Sequence, residues 1–270
     1  MENKTIRIDQ LLVIKKLIES RSKAKQLIQA GDVKVNGIIV TKPSTKIPLS
    51  SKIEILDGLK YVSRAGYKLE EFFKEYKIEI AGKIVYDIGS STGGFVDYFL
   101  QNFAKKVYAI DVNTRQLHEK VSSHSCVIKI EKNARFLTRE DFQDAPDIIT
   151  VDVSFISVEK LANVFYNLCK DKTQLIVLIK PQFETKINKK GIVKDKEVHI
   201  QVIWNVLKEF DKSGFVSKYL TFSRIPGKDS NIEFFCVFEK KTNEGKEKII
   251  KEYKIDDIIR IVDKAWEALR

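Results

Sequence analysis

The chain is poor in the residues that build disulfide frameworks and metal sites. Its 270 residues include only three histidines and three cysteines, Cys126, Cys169 and Cys236. The cysteines are odd in number, far apart and without a Cys-x-x-Cys pair. We therefore expect buried free thiols, a reducing compartment and no bound metal.

Long apolar segments are also missing. The amino terminus, MENKTIRID, lacks the apolar stretch of a signal peptide, and nothing reaches the roughly 20 apolar residues of a membrane span. Internal repeats and low-complexity tracts are absent as well. We expect a cytoplasmic protein that does not act at a membrane.

Positive charge is abundant and unevenly distributed. The chain has 48 lysines and arginines against 37 acidic residues, a net charge of +11. Residues 1–60 carry 12 basic and 6 acidic residues, more than half of that excess. Such a charge favours a polyanionic partner, most often nucleic acid. A generally basic proteome or a solubility effect is the alternative explanation.

The basic amino-terminal region has the pattern of a small α+β domain. An apolar stripe of Ile8, Leu11, Leu12 and Ile18 predicts a first helix, and a second helix capped by Ser22 should end at Gly31. Asn36-Gly37 between apolar runs predicts a hairpin, and residues 52–55 predict another strand. Asp57-Gly58 marks the start of a linker.

From Ser63 onward the pattern is that of an α/β protein. A helix carrying Leu69, Phe72, Phe73 and Tyr76 comes first. Predicted strands lie near 83–88, 106–111, 126–130, 147–152 and 173–179, and predicted helices near 94–102, 157–169 and 195–212. This alternation is typical of a parallel doubly wound sheet. Two strands without a helix between them, 215–223 and 232–239, predict an antiparallel hairpin that closes the sheet.

The carboxyl-terminal region is lysine-rich and then helical. Ile255, Ile258, Ile259, Val262 and Trp266 should share one face of that helix. We divide the chain into a basic domain (1–60), a linker (61–64), an α/β domain (65–242) and a carboxyl-terminal segment (243–270).

A glycine-rich turn follows the first strand of the α/β domain. Its spacing, Gly-x-x-x-Gly-Gly, differs from the Gly-x-Gly-x-x-Gly of dinucleotide-binding proteins and favours S-adenosylmethionine, which has no pyrophosphate. A tight strand-helix connection without a ligand is the alternative. The candidate cofactor-binding residues of this turn are Asp87, Gly89, Ser90, Gly93, Gly94 and Phe95.

Two polar residues at later strand ends extend this candidate site. Asp111 ends the second strand about twenty residues beyond the turn, where an acid can accept both ribose hydroxyls of an adenosyl group. Asn133, after the third strand, is a weaker candidate for reading the adenine edge.

Charged residues also follow the fourth and fifth strands. Asp152 and Lys180 each end a run of apolar residues, and strand ends of this fold face the reaction crevice. Lys68 and Glu233 are weaker candidates taken alone, since each could be an ordinary surface residue. Arg7, Arg21, Lys23, Lys25 and Lys34 are the candidate phosphate contacts of the basic domain, and RNA is a better fit than DNA. A solvated charged face is the alternative.

Sequence blocks in both domains resemble known families. Arg7-x-Asp9, residues 21–24 and residues 31–37 resemble the RNA-binding fold of ribosomal protein S-four. Residues 63–69, 87–95, 151–155, 179–184 and 227–233 resemble, in order, the blocks of FtsJ-type 2′-O-ribose methyltransferases. With both domains present, the chain resembles the TlyA (hemolysin A) family.

The resemblance implies a fold, a cofactor and a substrate. The fold would be a Rossmann-like class I S-adenosylmethionine-dependent methyltransferase sheet with an antiparallel final strand. Lys68, Asp152, Lys180 and Glu233 would be the catalytic tetrad, and Asp152 would also contact S-adenosylmethionine. The substrate would be a ribose hydroxyl, of cytidine, in ribosomal RNA or assembled ribosomal subunits. Thr92 and Phe95 replace a proline and a tryptophan common in FtsJ turns, and residues 228–230 are atypical before Glu233.

Three rival functions remain at the level of sequence. The chain could be an RNA-binding protein with an inactive methyltransferase fold, although all four tetrad positions are filled. It could be a cytolysin, against which the missing signal peptide and membrane segment argue. It could methylate a small molecule, but the basic domain would then have no purpose. The oligomeric state and the role of the carboxyl-terminal helix stay open.

Overall fold

The chain folds into two compact units, Met1–Arg64 and Ala65–Arg270. The computed structural model describes residues 5–56, 60–185, 191–241 and 253–269. The expected start of the linker at Asp57-Gly58, and most of the lysine-rich segment after residue 242, lie outside the described residues.

The first unit is a small α+β structure with its own apolar core. Its elements in chain order are β1 (Thr5–Arg7), α1 (Ile8–Ile14), α2 (Arg21–Ala30), β2 (Val33–Val35), β3 (Ile38–Ile39), β4 (Lys46–Pro48) and β5 (Ile53–Ile55). Strand β2 pairs antiparallel with both β3 and β5, and β1 pairs with β4. Ile8, Leu11 and Leu12 from α1 pack with Ile28 of α2 and Val33 of β2.

Two details of this unit differ from the sequence expectation. Ser20, not Ser22, caps α2, because its hydroxyl accepts a hydrogen bond from the Lys23 amide at 3.2 Å. Ile18 was expected on the stripe of α1 but lies beyond its end, although it still packs against the core. Both differences are shifts of a helix end.

The second unit contains one large sheet and its flanking helices. Its elements are α3 (Arg64–Glu75), β6 (Ile84–Ile88), α4 (Gly94–Gln101), β7 (Lys106–Asp111), α5 (Glu119–Ser122), β8 (Val127–Glu131), β9 (Ile148–Val151), α6 (Ala162–Leu168), β10 (Gln174–Ile179), α7 (Pro181–Glu184), α8 (Lys196–Lys212), β11 (Phe215–Phe222), β12 (Phe234–Lys240) and α9 (Ile255–Leu269). A 3₁₀ turn, Val158–Leu161, begins the segment that was expected to be one helix over 157–169.

The sheet has seven strands in the order β11-β12-β10-β9-β6-β7-β8. The strands from β10 to β8 are parallel, whereas β12 runs antiparallel to both of its neighbours. This confirms the expected α/β fold with an antiparallel final strand pair. The register of β10 and β12 pairs Ile179 with Phe234. Lys180, just after β10, and Glu233, just before β12, therefore lie opposite each other at one edge of the sheet.

The carboxyl-terminal helix α9 packs on this unit through part of the expected face. Ile258, Val262 and Ala265 are buried, whereas Ile255 and Ile259 are about 40% exposed. The buried face of α9 is narrower than expected, because a helix that packs against the protein on one side only buries just the central stripe of its apolar face. Cys169 and Cys236 are buried free thiols, but Cys126 is only half-buried, contrary to expectation. No helix among the described residues is long and apolar enough to cross a membrane.

Candidate active site

Two buried lysine-carboxylate pairs lie at the carboxyl edge of the sheet. Lys180 Nζ is 2.6 Å from Asp152 Oδ1, and Lys68 Nζ donates to Glu233 Oε2 at 2.6 Å. Lys68 comes from the middle of α3 and the other three residues from strand ends. The side chains of both lysines are 10% exposed. Burial of four charges in one place is costly unless each finds an opposite partner, which all four do here.

The two pairs also act on each other electrostatically. Burial raises the pKa of Asp152, but the charges of Lys180 and Lys68 outweigh it and leave that pKa below its ordinary value. Burial lowers the pKa of Lys180, but the charges of Asp152 and Glu233 outweigh it and raise that pKa. At neutral pH, Lys180 is therefore an ammonium ion and Asp152 a carboxylate. The structure brings together the four residues that the sequence placed in separate motifs.

Three further residues support these pairs, and sequence reasoning assigned them no role. Lys180 Nζ also donates to Ser154 Oγ at 3.2 Å, and Gln182 Nε2 donates to Glu233 Oε1 at 3.1 Å. Gly227 lies against the Glu233 carboxylate, and a Cβ atom built there would be 2.0 Å from Glu233 Oε1. All three lie in the same sequence blocks as the charged residues. Their closeness in sequence to those residues is the one signal from which their role could have been predicted.

A cavity of about 550 Å³ opens beside the Asp152 strand end. Four of the nine candidate cofactor-binding residues line it, namely Gly89, Asp111, Asn133 and Asp152. Ser91, Gln116, Lys132, Ser154 and Phe155 also contribute to its wall. Its volume is in the range of small-molecule and cofactor sites.

The other candidate cofactor-binding residues of the glycine-rich turn are not among those that line the cavity, namely Asp87, Ser90, Gly93, Gly94 and Phe95. Gly93, at φ +92°, lies against Val121, where a Cβ atom would be 2.6 Å from a side-chain methyl group. Phe95 is buried in the core. Gly89 lines the cavity, but the fold also requires a glycine there. Its φ is +87°, and a Cβ atom would be 2.6 Å from the Asp152 carbonyl oxygen. Gly89 and Gly93 are therefore explained by the fold of the turn, whether or not a ligand binds there.

Asp87 lies beneath the turn as a fully buried acid. Burial is the main cause that raises the pKa of Asp87 to about 8. The hydrogen bond from Thr150 lowers this pKa, whereas the negative charges of Asp152 and Asp111 raise it further. Oδ1 accepts from Thr150 Oγ1 at 2.8 Å, whereas Oδ2 is buried with no hydrogen-bond partner among the described residues. Ser90 Oγ nearby in sequence is in the same situation. Buried oxygens without partners are uncommon, and these two leave polar atoms available beneath the turn.

Asp111 and Asn133 are both held by local hydrogen bonds. The Ser91 amide donates to Asp111 Oδ2, and the Asn113 amide and Gln116 Nε2 donate to Asp111 Oδ1. Asn133 Oδ1 caps a 3₁₀ turn by accepting from the Arg135 amide. These contacts fix the orientation of both side chains in the cavity wall.

Comparison of the sequence with models of known protein families identifies the family of the chain. Residues 61–240 match the model of the FtsJ-like methyltransferases. The chain belongs to the FtsJ-like methyltransferase family. Residues 6–53 match the S4 domain.

Relatives of this FtsJ-like methyltransferase cover most or all of the chain. The provisionally named rRNA methyltransferase YqxC of Bacillus subtilis is 40% identical over 100% of this chain and 97% of its own length. Hemolysin A of Brachyspira hyodysenteriae is 41% identical over 86% of this chain and 99% of its own. The 23S rRNA (cytidine-2′-O)-methyltransferase TlyA of Campylobacter jejuni is 36% identical over 84% and 97%. A solved structure from Streptococcus thermophilus, provisionally assigned as a hemolysin, is 34% identical, with a TM-score of 0.73 over 98% of this chain and 97% of its own.

In the S4 domain, the candidate RNA-binding residues differ in their surroundings. Arg7 and Arg21 both donate to Asp9, which is fully buried. The exposed Lys23 pairs with Glu19 at 3.3 Å. Lys25 is exposed on α2, and Lys34 is half-buried on β2 opposite Glu54. Arg7 therefore helps to join β1 to α1, and Arg21 helps to join α2 to α1, in addition to offering positive charge.

Proposed function

We propose that this FtsJ-like methyltransferase transfers a methyl group from S-adenosylmethionine to a ribose 2′-hydroxyl of ribosomal RNA. The observation that carries the proposal is the meeting of two buried lysine-carboxylate pairs beside a cavity of cofactor size. Four charges buried at a strand edge add little net stability and are better explained by chemistry.

The residues present suit the proposed cofactor. Asp111 and Asn133, on the cavity wall, would hold the adenosyl group, and Gly89 would allow its close approach. Asp87 and Ser90 supply buried oxygens without partners below the turn. When bound, S-adenosylmethionine supplies a methyl group on a positively charged sulfur, which is already activated for displacement. The protein's task is then to orient and activate the acceptor oxygen.

Lys180 is suited to stabilise that oxygen as a cation. Its raised pKa makes the protonated form dominant, which argues against a resting role as general base. An ammonium ion beside the hydroxyl oxygen would favour loss of its proton and stabilise the charge that develops. As Lys180 takes the proton of the hydroxyl, it would give one of its own ammonium protons to Asp152, 2.6 Å away, and the low pKa of Asp152 would then release that proton to solvent. Lys68 and Glu233 complete the charge balance of the site.

RNA is the substrate class that both units of the chain support. The S4 match and the excess of positive charge in residues 1–60 favour a phosphate backbone. In the methyltransferase unit, Phe155 is 91% exposed at the cavity wall with a left-handed φ of 65°, a strained conformation typical of functional sites. An exposed ring at this position is suited to stack on an unpaired base. The TlyA relative, named for cytidine-2′-O methylation of 23S rRNA, favours cytidine in ribosomal RNA or ribosomal subunits, hence action in the cytoplasm.

Replacement of Lys180 is the sharpest test of the proposed site. We expect Lys180→Ala to reduce methyl transfer by about 10²–10⁴-fold, because the acceptor oxygen loses its stabilising cation. Binding of S-adenosylmethionine, measured by isothermal titration, should persist. Lys129→Ala, which removes an exposed lysine on β8, is the matched control and should keep full turnover. Retention of most of the turnover by Lys180→Ala would show that the site is assigned wrongly.

The substrate is tested in cells. Mass spectrometric mapping of ribose methylation in ribosomal RNA, with and without the gene, should reveal a 2′-O-methylcytidine that requires it. Restoration by the wild-type gene and not by the Lys180→Ala variant would connect the modification to this site. Identical methylation maps in both strains would refute the proposed substrate.

A further inference from the structure

Two chain segments meet beside the Lys180–Asp152 pair. Residues 152–158 leave the carboxyl end of β9, and residues 180–184 leave the carboxyl end of β10 and form the short helix α7. The parallel pairing of β9 and β10 brings these segments out side by side. Strand pairing holds the backbone of Asp152, whose amide donates to the Ile88 carbonyl, and the contacts between the two segments hold the chain beyond it, including Ser154, against Lys180.

Contacts join the segments along their length. Lys180 contacts Asp152 and Ser154 at one end. In the middle, the rings of Phe155 and Phe183 are 5.2 Å apart. At the far end, Glu184 Oε1 accepts a hydrogen bond from the Val158 amide at 3.0 Å. Helix α7 has a single turn, so the Glu184 contact fixes both its end and the start of the 3₁₀ turn Val158–Leu161.

The Glu184 carboxyl lies in a buried environment that disfavours its ionised form. Burial is the main cause that raises the pKa of Glu184 to about 7, and the negative charge of Glu159 raises it further. Hydrogen bonds from Ser157 and the Val158 amide, and the positive charge of Lys160, lower it in part. A raised pKa means that the ionised form is disfavoured in the folded protein, so the cost in stability grows as the pH rises above about 4.5 and is complete above about 7. A group that is costly to bury beside a catalytic pair is a candidate for a functional role.

We propose that Glu184 is a positioning residue, whose contact with the Val158 amide holds residues 152–158 against Lys180 and so sets the geometry of the Lys180–Asp152 pair. The inference rests on the proposed function of that pair. Glu184 acts through the segment that carries Asp152, Ser154 and Phe155, and does not itself touch substrate.

The test removes the contact from each side. Glu184→Ala removes the acceptor. Val158→Pro removes the donor at the first position of a helical turn, where proline is tolerated, and Ser157 before it already has the extended conformation that proline requires. Glu184→Gln keeps an acceptor oxygen and should restore the contact. Glu159→Gln, on the same turn, is the control for loss of a nearby negative charge.

We expect a specific pattern of kinetic constants for methyl transfer to ribosomal subunits. Glu184→Ala and Val158→Pro should each lower kcat by about 10–100-fold, while the Kd for S-adenosylmethionine changes less than about twofold. The double variant should be no slower than the slower single variant, because both changes remove one contact. Glu184→Gln should keep kcat within about threefold of the wild type and raise the Tm more at pH 8 than at pH 5. Glu159→Gln should keep the wild-type kcat.

Two readouts keep the inference separate from the proposed function. Hydrogen exchange of residues 153–157 in the full chain should be faster in Glu184→Ala than in Glu184→Gln, whatever the substrate is. An inactive wild-type protein would refute the proposed function. The exchange result would then still decide whether Glu184 holds residues 153–157 in place. An active wild type with unchanged kcat and exchange in Glu184→Ala, or additive losses in the double variant, would overturn the positioning role.

Discussion

At the scale of single residues, the geometry of the site depends on a glycine with ordinary backbone angles. Gly227 has φ −69°, which any residue can adopt. Its missing side chain matters because the Glu233 carboxylate occupies the space of a Cβ atom. Lys68 and Gln182 hold that carboxylate in place, so it cannot move aside without loss of their hydrogen bonds.

Gly227→Ala should therefore impair turnover and leave the fold intact. We expect kcat to fall by about tenfold or more, because small displacements of catalytic groups are costly, and the Tm to fall by a few degrees, because the displaced carboxylate loses buried hydrogen bonds. Gly82→Ala is the contrasting control: at φ +74° with open space around its Cβ position, it should lower the Tm and leave kcat unchanged. Equal turnover in wild type and Gly227→Ala would show that the position of Glu233 is unimportant.

At the scale of secondary structure elements, helices α1 and α2 are joined through one buried acid. Arg7 Nε and Nη2 donate to Asp9 at 2.9 Å, and Arg21 Nη2 donates to it at 3.1 Å. The hydrogen bond from Arg7 is the largest cause that lowers the pKa of Asp9 to about 2, burial opposes it, and Arg21 adds to the lowering. A lowered pKa means that this stabilisation is complete above pH 4 and fades as the pH falls toward 2.

Asp9→Ala should loosen the S4 domain selectively. We expect the opening free energy of α2, measured by native-state hydrogen exchange of the full chain at neutral pH, to fall by about 2 kcal/mol. Glu19→Ala, which removes the exposed partner of Lys23, should change it by less than about 0.5 kcal/mol. Equal effects of the two changes would mean that Asp9 is no more than a surface ion-pair partner.

At the scale of the whole molecule, the distribution of charge is the main determinant of how the chain meets RNA. More than half of the net charge of +11 lies in residues 1–60. Because Arg7 of β1 and Arg21 of α2 are partly neutralised by Asp9, exposed lysines should carry much of the contact with phosphates.

The double variant Lys23→Gln/Lys25→Gln should weaken binding to ribosomal RNA and flatten its salt dependence. We expect the slope of log K against log salt to become smaller in magnitude by about 1.5–2, since two phosphate contacts are lost. Lys129→Gln/Lys172→Gln, an equal change of charge on exposed lysines of the other unit, is the control. If both pairs weaken binding equally, general charge and not the α2 surface determines RNA affinity.

Much of the fold was predictable because its signals are local. The apolar run before Asp87, the strand end at Asp111 and the Asn36-Gly37 hairpin each follow from a few neighbouring residues. Helix ends were less predictable, as Ser20 and Ile18 demonstrate, because competing caps differ little in free energy. Motif blocks identified the four charged residues, yet no local pattern revealed that Gly227 has to make room for Glu233.

The sequence by itself determined the strand and helix alternation, the basic first domain and the family, since periodicity, charge and motif order are properties of the chain. Only the tertiary structure decided that Lys180 pairs with Asp152 and Lys68 with Glu233, and that Glu184 joins the two strand ends. The reason is that these contacts join residues up to 165 positions apart. Their distances and protonation states depend on strand register and burial, which exist only once the sheet has formed.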